Sequence, residues 1–184
     1  MPTALLIKIT IMNISFSILA LLSFLFVNRS AAQTPLSDPE VASVAVAANM
    51  IDIKYAEIAK KKSKNTEVRH FAETMMKDHN AVLAQASALV KKLNVTPKDN
   101  GVSQKLNSDA EKTRNDLNGK SGDAFDKAYI DNEVAYHKAV IDAVKNLLIP
   151  ETENQELKDL LTAILPALDT HLQHAEMIQK KIAR

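Results

Sequence analysis

The chain contains no cysteine. That excludes disulfides, thiolate metal sites, catalytic thiols and the lipidated cysteine of bacterial lipoproteins. Glycine is scarce, with three in 184 residues, and tryptophan is absent. The sequence accordingly has no glycine-rich phosphate loop, no Gly-x-Ser-x-Gly elbow and no His-Glu-x-x-His zinc motif. Neither sign of charge dominates, because 23 basic residues face 22 acidic ones. No basic surplus is left to hold nucleic acid or an anionic membrane surface. Sustained period-2 alternation is also missing, so no strands are expected. Ala, Lys and Leu fill the chain instead, which is an all-α composition.

Residues 1–33 carry no acid and two bases, Lys8 and Arg29. Between these, Ile9 to Val27 is almost wholly apolar, and Ser30-Ala31-Ala32 offers the small residues of a cleavage site. The pattern reads as a secretory signal peptide ending near Ala32 or Gln33, followed by one domain over 34–184. An apolar run of roughly 18 residues also just spans a bilayer, so an uncleaved membrane anchor is the alternative. Without Lys8 and Arg29 the balance becomes 21 bases to 22 acids. The expected location is the periplasm or the outer membrane, with an envelope protein as partner and no nucleic acid. A domain exported without disulfides must be held by its core, for which about 150 residues suffice.

Helical periodicity organises the remainder. The first helix is expected from Asp38-Pro39, with Asp as cap and Pro at a position that needs no donor. Val41, Val44, Ala48, Ile51, Tyr55 and Ile58 step by three and four along one face. Lys60-Lys61-Lys62 suits the negative end of the helix dipole, and Asn65-Thr66 turns the chain and caps the second helix. That helix carries Val68, Phe71, Met75, Val82, Ala86, Leu89 and Leu93. A long connection from about 95 to 122 contains a shorter helix with Val102, Leu106, Ala110, Thr113 and Leu117. A third long helix is expected over Asp123–Leu148, with Phe125, Tyr129, Tyr136 or His137, Val140, Val144 and Leu147 inward. The fourth begins near Asn154, with Leu157, Leu161, Ile164, Leu168, His171, Ala175 and Ile178 inward. Pro166 removes the bond to the Thr162 carbonyl, so a kink is expected there. Together these elements predict a ferritin-like four-helix bundle, with the long connection between helices 2 and 3 permitting a crossover.

Four histidines, His79, His137, His171 and His174, stand where such a bundle normally places Leu or Val. Asp52 sits at the edge of the first apolar stripe. If the first hairpin turns near residue 65, Asp52 lies opposite His79. Glu133 and His137 share a face at i and i+4. If the second hairpin turns near residue 150, His171 lies level with residue 130 and His137 stands about 10 Å farther along. That arithmetic leaves open whether the polar groups form one cluster or two. Asp52, Asp78, His79, Glu133, His137, His171 and His174 are the candidate metal ligands, with iron, manganese or zinc as the ion. Glu67-x-x-His70 has the formal spacing of a di-iron motif but falls off the apolar stripe, in the first turn of its helix. Met75, Met76 and Met177 read as packing.

With these residues placed, the chain from about Asp38 to Ala183 resembles a bacterial family known by its number as domain of unknown function 4142. The resemblance rests on Asn65-Thr66-Glu67-Val68 leading into Phe71-Ala72, and on Met76-x-Asp78-His79. It continues with Ala124-Phe125-Asp126-x-Ala128-Tyr129-x-Asp131 followed by His137, and with Leu165-Pro166-x-Leu168-x-x-His171-Leu172. Members are ferritin-like and are often labelled exported or outer-membrane proteins, so the resemblance implies the bundle with crossover, and export. It implies no reaction. The sequence departs from the iron-handling ferritin-like pattern of two Glu helices and two Glu-x-x-His helices. Glu133 and His137 are one residue too far apart, and neither Asp78-His79 nor His171-x-x-His174 fits.

Two functions remain open on the sequence. In one, this is a structural or partner-binding envelope protein whose histidines and acids hydrogen-bond each other. In the other, it is a metal-binding bundle linked to metal handling or oxidative stress.

Overall fold

The computed structural model describes residues 34–183, so the expected signal peptide over 1–33 lies outside the described residues. Five long helices make up nearly all of the described chain, with no strand among the described residues. They are α1 (Asp38–Lys62), α2 (Thr66–Lys92), α3 (Gly101–Asn118), α4 (Gly122–Ala143) and α5 (Gln155–Ile182).

Side-chain oxygens set where the helices begin, by taking up backbone N–H groups that have no partner in the first turn. Asn65 accepts from the N–H of Glu67 and Val68, Asn100 from Val102 and Ser103, and Asn154 from Leu157. At α1 the cap is Ser37 rather than Asp38, and Glu40 accepts from the N–H and hydroxyl of Ser37. Asp38 does a different job. Its carboxylate accepts from the N–H of Glu153 and Asn154, tying the start of α5 to the start of α1.

Hydrogen bonds at the helix ends fix the order of the bundle. Lys98 N–H donates to the Pro39 carbonyl and the Asn100 amide to the Glu40 carbonyl, so α3 begins beside the start of α1. The Lys62 ammonium donates to the carbonyls of Leu117 and Asn118, so α3 ends beside the end of α1. The connection therefore runs the whole length of α1 and returns the chain to the end where α2 began. From there α4 runs parallel to α2, and α5 returns antiparallel to both. Two hairpins joined by a crossover are the arrangement expected, and α3 is the short helix of the connection.

The end of α4 departs from the expectation. The helical path of α4 does not stop at Ala143 but widens into a π-turn over Val144–Leu148 and closes with Ile149–Glu151. Pro150 explains the change, because its ring collides with the carbonyl four residues back in a regular helix and it has no N–H to donate. Ile149 N–H accordingly reaches back five residues to the Val144 carbonyl. Beyond His137 the inward positions are Ile141, Val144 and Leu148, with Val140 and Leu147 only half-buried. At Pro166, α5 continues as one helix.

The apolar core comes in two halves. At the end where α2 begins, Tyr55, Phe71, Met75, Phe125, Tyr129 and Ile178 pack together. The Phe125 and Tyr129 rings stack at 6.2 Å, and Phe71 meets Tyr129 edge-on. At the other end Val41, Val44, Val144, Leu148, Leu161 and Leu168 form the second half. Each such side chain contributes ~1.5–3 kcal/mol by leaving water. Between the halves lies a layer of buried polar side chains: Asn49, Asp52, His79, Glu133, His137 and His171. No described helix is long and apolar enough to cross a membrane. Met177, expected in the packing, is 55% exposed.

Candidate metal centre

Each bundle helix sends a titratable side chain into the polar layer: Asp52 from α1, His79 from α2, Glu133 and His137 from α4, and His171 from α5. The three imidazoles form a nearly equilateral triangle, with ring centroids 5.3, 5.5 and 5.8 Å apart. All three rings are buried, as is the Asp52 carboxylate.

Outer partners fix which nitrogen of each ring faces inward. His79 Nδ1 lies 2.8 Å from Asn49 Oδ1. Asn49 spends its amide N–H on the Ala45 carbonyl at 2.8 Å, so its oxygen faces the ring and His79 Nδ1 is the donor. His137 Nδ1 donates to the Glu133 carbonyl at 3.0 Å, and His171 Nε2 donates to the Asp78 carboxylate at 3.0 Å. A neutral imidazole has one N–H, and each ring has used its own outward. The remaining nitrogens are His79 Nε2, His137 Nε2 and His171 Nδ1, each with a lone pair. All three are buried without a hydrogen-bond partner, and so are both oxygens of Asp52. Asp52 Oδ2 stands 3.1 Å from His79 Nε2 and 3.4 Å from His137 Nε2.

Electrostatics favours the neutral form of His137 and His171. Burial pushes His137 and His171 below the ordinary histidine pKa, against the opposing pull of Asp52 on both and of Asp78 on His171. Burial pushes Asp52 up, but the neighbouring His79, with His137 and His171, outweighs it and holds the carboxyl below its usual range. Glu133 is the opposite case. Burial, with the Asp52 charge added, drives its carboxyl well above the usual range, so it stays protonated. Burial raises Tyr129 and Tyr136 in the same way. The Tyr136 hydroxyl donates to the Ala48 carbonyl at 2.9 Å, beside the cluster.

His79, His137 and His171 each offer a ligand atom within 4.8 Å of the other two, and Asp52, Glu133 and His137 form a second such set. Ligands at ~2.0–2.1 Å from a tetrahedral ion stand about 3.3 Å apart, so small side-chain rotations close the first set on one ion. The donors are imidazole and carboxylate with no thiolate, which suits borderline divalent ions.

One cluster is present, not two. The extra turns over Val144–Glu151 move the pivot of the second hairpin to residues 152–154, which brings His171 level with His137. Asp52 meets His79 as the first hairpin's arithmetic requires. Asp78 lies at the rim, partly exposed, and reaches His171 rather than its sequence neighbour. His174 stands apart: its ring meets Phe71 edge-on at 5.2 Å, and it belongs to neither set of mutually close donors. One turn beyond His171, the bundle has already passed from the polar layer into the first apolar half. Glu67 pairs with Lys181, and His70 is exposed. Asn49 was not singled out from the sequence, although it sits three residues before Asp52 on the same face.

A family model described as a domain of unknown function, DUF4142, matches residues 27–178. No curated protein matches the chain. Among solved structures, a DUF305 protein from Streptomyces coelicolor, described as secreted, is similar in fold with a TM-score of 0.66. Its identity is 9%, over 78% of this chain and 92% of that one. CopM, solved in its Cu(II)-bound form, is similar at a TM-score of 0.60 and 13% identity, over 80% of this chain and 99% of its own.

Proposed function

With the chain a member of the DUF4142 family, we propose that it is an exported helical-bundle protein that holds one divalent transition-metal ion inside the bundle. His79 Nε2, His137 Nε2 and His171 Nδ1 are the ligands, and Asp52 supplies the anionic oxygen. The observation that carries this reading is the direction of the spare lone pairs. All three rings donate outward, to Asn49, Glu133 and Asp78, and leave an unpartnered nitrogen facing the others. An imidazole that binds metal through one nitrogen typically donates from the other to a carbonyl or carboxylate. Burying several acceptors with no donor between them is costly unless something positive meets them.

The electrostatics supports the same reading. Because burial holds His137 and His171 neutral, they have no proton to lose before binding. With Glu133 protonated, one carboxylate charge offsets the ion. Affinity then follows the general order for divalent ions, with Cu(II) above Zn(II) and both above Fe(II) and Mn(II). The Cu(II) of CopM supports the reading at the level of the fold. The secreted neighbour, together with the sequence of residues 1–33, supports export.

The test is elemental analysis of the chain purified without chelator, beside a His79→Ala/His137→Ala/His171→Ala variant. One ion per chain is expected, lost in the variant while its helical circular dichroism persists. A folded wild type that takes up none of Cu(II), Zn(II), Fe(II) or Mn(II) overturns the reading. The histidines would then be architecture, and the function would lie with a partner of the envelope.

A further inference from the structure

The two apolar halves of the bundle are not equally filled. Along α2, Val68, Phe71, Ala72 and Met75, before His79, are all buried completely. Beyond His79 the apolar spacing continues through Val82, Ala86 and Leu89, yet each is only half-buried. The helix keeps its inward stripe there, but no described residue covers it fully.

What the stripe faces is a cavity of about 340 Å³. Its walls are aliphatic, with Val44 from α1, Val82 from α2, Val140 from α4, and Leu161, Ile164 and Leu168 from α5. Its floor is the polar layer, because His79, His137, His171 and Asp52 line it as well. Three alanines of the lining, Ala81, Ala139 and Ala167, are solvent-exposed. The cavity thus reaches the surface past side chains of one carbon each. Native interiors close voids larger than a water molecule, and an open apolar one is a feature to be explained. An engineered aliphatic cavity of about 150 Å³ stays dry and takes up benzene. At roughly twice that size, this one accommodates an apolar body of about ten carbons.

The floor selects the head group. Among the side chains that line the floor, the buried atoms without a partner are three imidazole nitrogens and the two oxygens of Asp52. On their own these repel an anion. Around a divalent ion the same groups offset only one of its two charges, and an oxygen donor of negative charge completes the balance.

We propose that the cavity binds a medium-chain carboxylate, its tail among the aliphatic walls and its head on the ion held by the histidines. The proposal rests on the metal reading above. It assigns the uncovered stripe of α2 to the tail and the open floor to the head. Binding is stronger to the metal-loaded protein than to the metal-free protein, and it weakens when the walls are filled.

The experiment uses the full chain, loaded with Zn(II) or stripped by chelator, and titrates decanoate, decanol and decylamine by calorimetry. Zinc stoichiometry is measured on every sample. Decanoate is expected to bind the zinc-loaded protein at least tenfold more tightly than the stripped protein, and more tightly than decanol. Val140→Phe places a ring in the cavity and is expected to keep zinc while weakening decanoate at least tenfold. If Val140→Phe fails to fold, Ala167→Phe at the exposed mouth takes its place. With Co(II) as the ion, decanoate is expected to shift the visible absorption, because its head enters the coordination sphere. Zinc bound at one per chain, with decanoate no tighter than decanol or indifferent to zinc, overturns this proposal and leaves the metal reading standing. Decylamine bound best by the stripped protein overturns it too. No zinc uptake overturns both.

Discussion

Removing His171 separates a metal site from a structural hydrogen-bond cluster more cleanly than removing any other histidine. Its outer partner, Asp78, keeps a side-chain exposure of 38%, so water can solvate the carboxylate once the ring is gone. His171→Ala therefore costs the metal-free protein about 1–2 kcal/mol, within the ordinary range for a single truncation that leaves no buried charge behind. For a chain of this size that is a fall of roughly 2–8 °C in Tm. Metal linkage acts on a different scale. An ion at one hundred times its Kd stabilises the folded state by about 2.7 kcal/mol, or roughly 5–11 °C. If loss of one ligand weakens binding a hundredfold, the same ion concentration gives about 0.4 kcal/mol, and the shift drops to roughly 2 °C or less. The assay is thermal unfolding by circular dichroism of wild type and His171→Ala, each with chelator and with Zn(II). The wild type should gain several degrees with zinc and the variant almost none. Equal gains in the two proteins, or none in the wild type with any first-row divalent ion, would refute the assignment of His171 as a ligand.

Three further outcomes follow from the same geometry. His174→Ala should retain the full zinc-dependent shift, because that ring packs on Phe71 outside the cluster; loss of the shift would place it among the ligands. Asp78→Asn leaves an acceptor for His171 Nε2 but removes its charge, so zinc affinity measured by competition should fall about 10–100-fold, the usual effect of an outer partner. At the start of α1, hydrogen bonds from Ser37, with Lys98 alongside, lower the Glu40 carboxyl from 4.5 to about 2. Its stabilisation is thus complete above pH ~4.5 and fades as pH falls toward 2, so Glu40→Gln should flatten the acid limb of stability across that window. Unchanged slopes of denaturant midpoint against pH would show the contact to be inert.

The bundle was legible because its signals are local and repeat. Asn65 is a capping residue in plain view, and the apolar stripes of α1, α2 and α5 follow helical spacing, broken only where polar side chains enter the layer. The level pairing of Asp52 with His79 was also legible, since a two- or three-residue turn leaves little freedom in where the second helix starts. The pairing of His137 with His171 was not. It depends on where α4 ends, and the widened turn before Pro150 carries the helix to Glu151 instead of Leu148. That shift of a few residues doubles when it is carried across a hairpin, which is enough to make one cluster look like two. Asn49 escaped notice for another reason. Its role is to aim a ring, and nothing in an amide's spacing distinguishes an aimed ring from a solvated one until the partner's position is known.

The polar layer itself argues for function over architecture. A bundle that needed only register or specificity from buried polar groups would satisfy them in pairs, each donor with an acceptor. In this layer the outward half of every histidine is satisfied and the inward half is not. The satisfied half costs a residue on three different helices, Asn49, Asp78 and Glu133, whose shared effect is to turn lone pairs toward one another. Glu133 contributes its backbone carbonyl to that task, while its own carboxyl, held neutral, adds no second charge. Replacing the layer by Leu and Val would remove the buried acceptors and is expected to stabilise the metal-free fold. The chain keeps instead an arrangement that favours a bound cation, at a level to which all four bundle helices contribute a polar side chain and where the apolar cavity comes to an end.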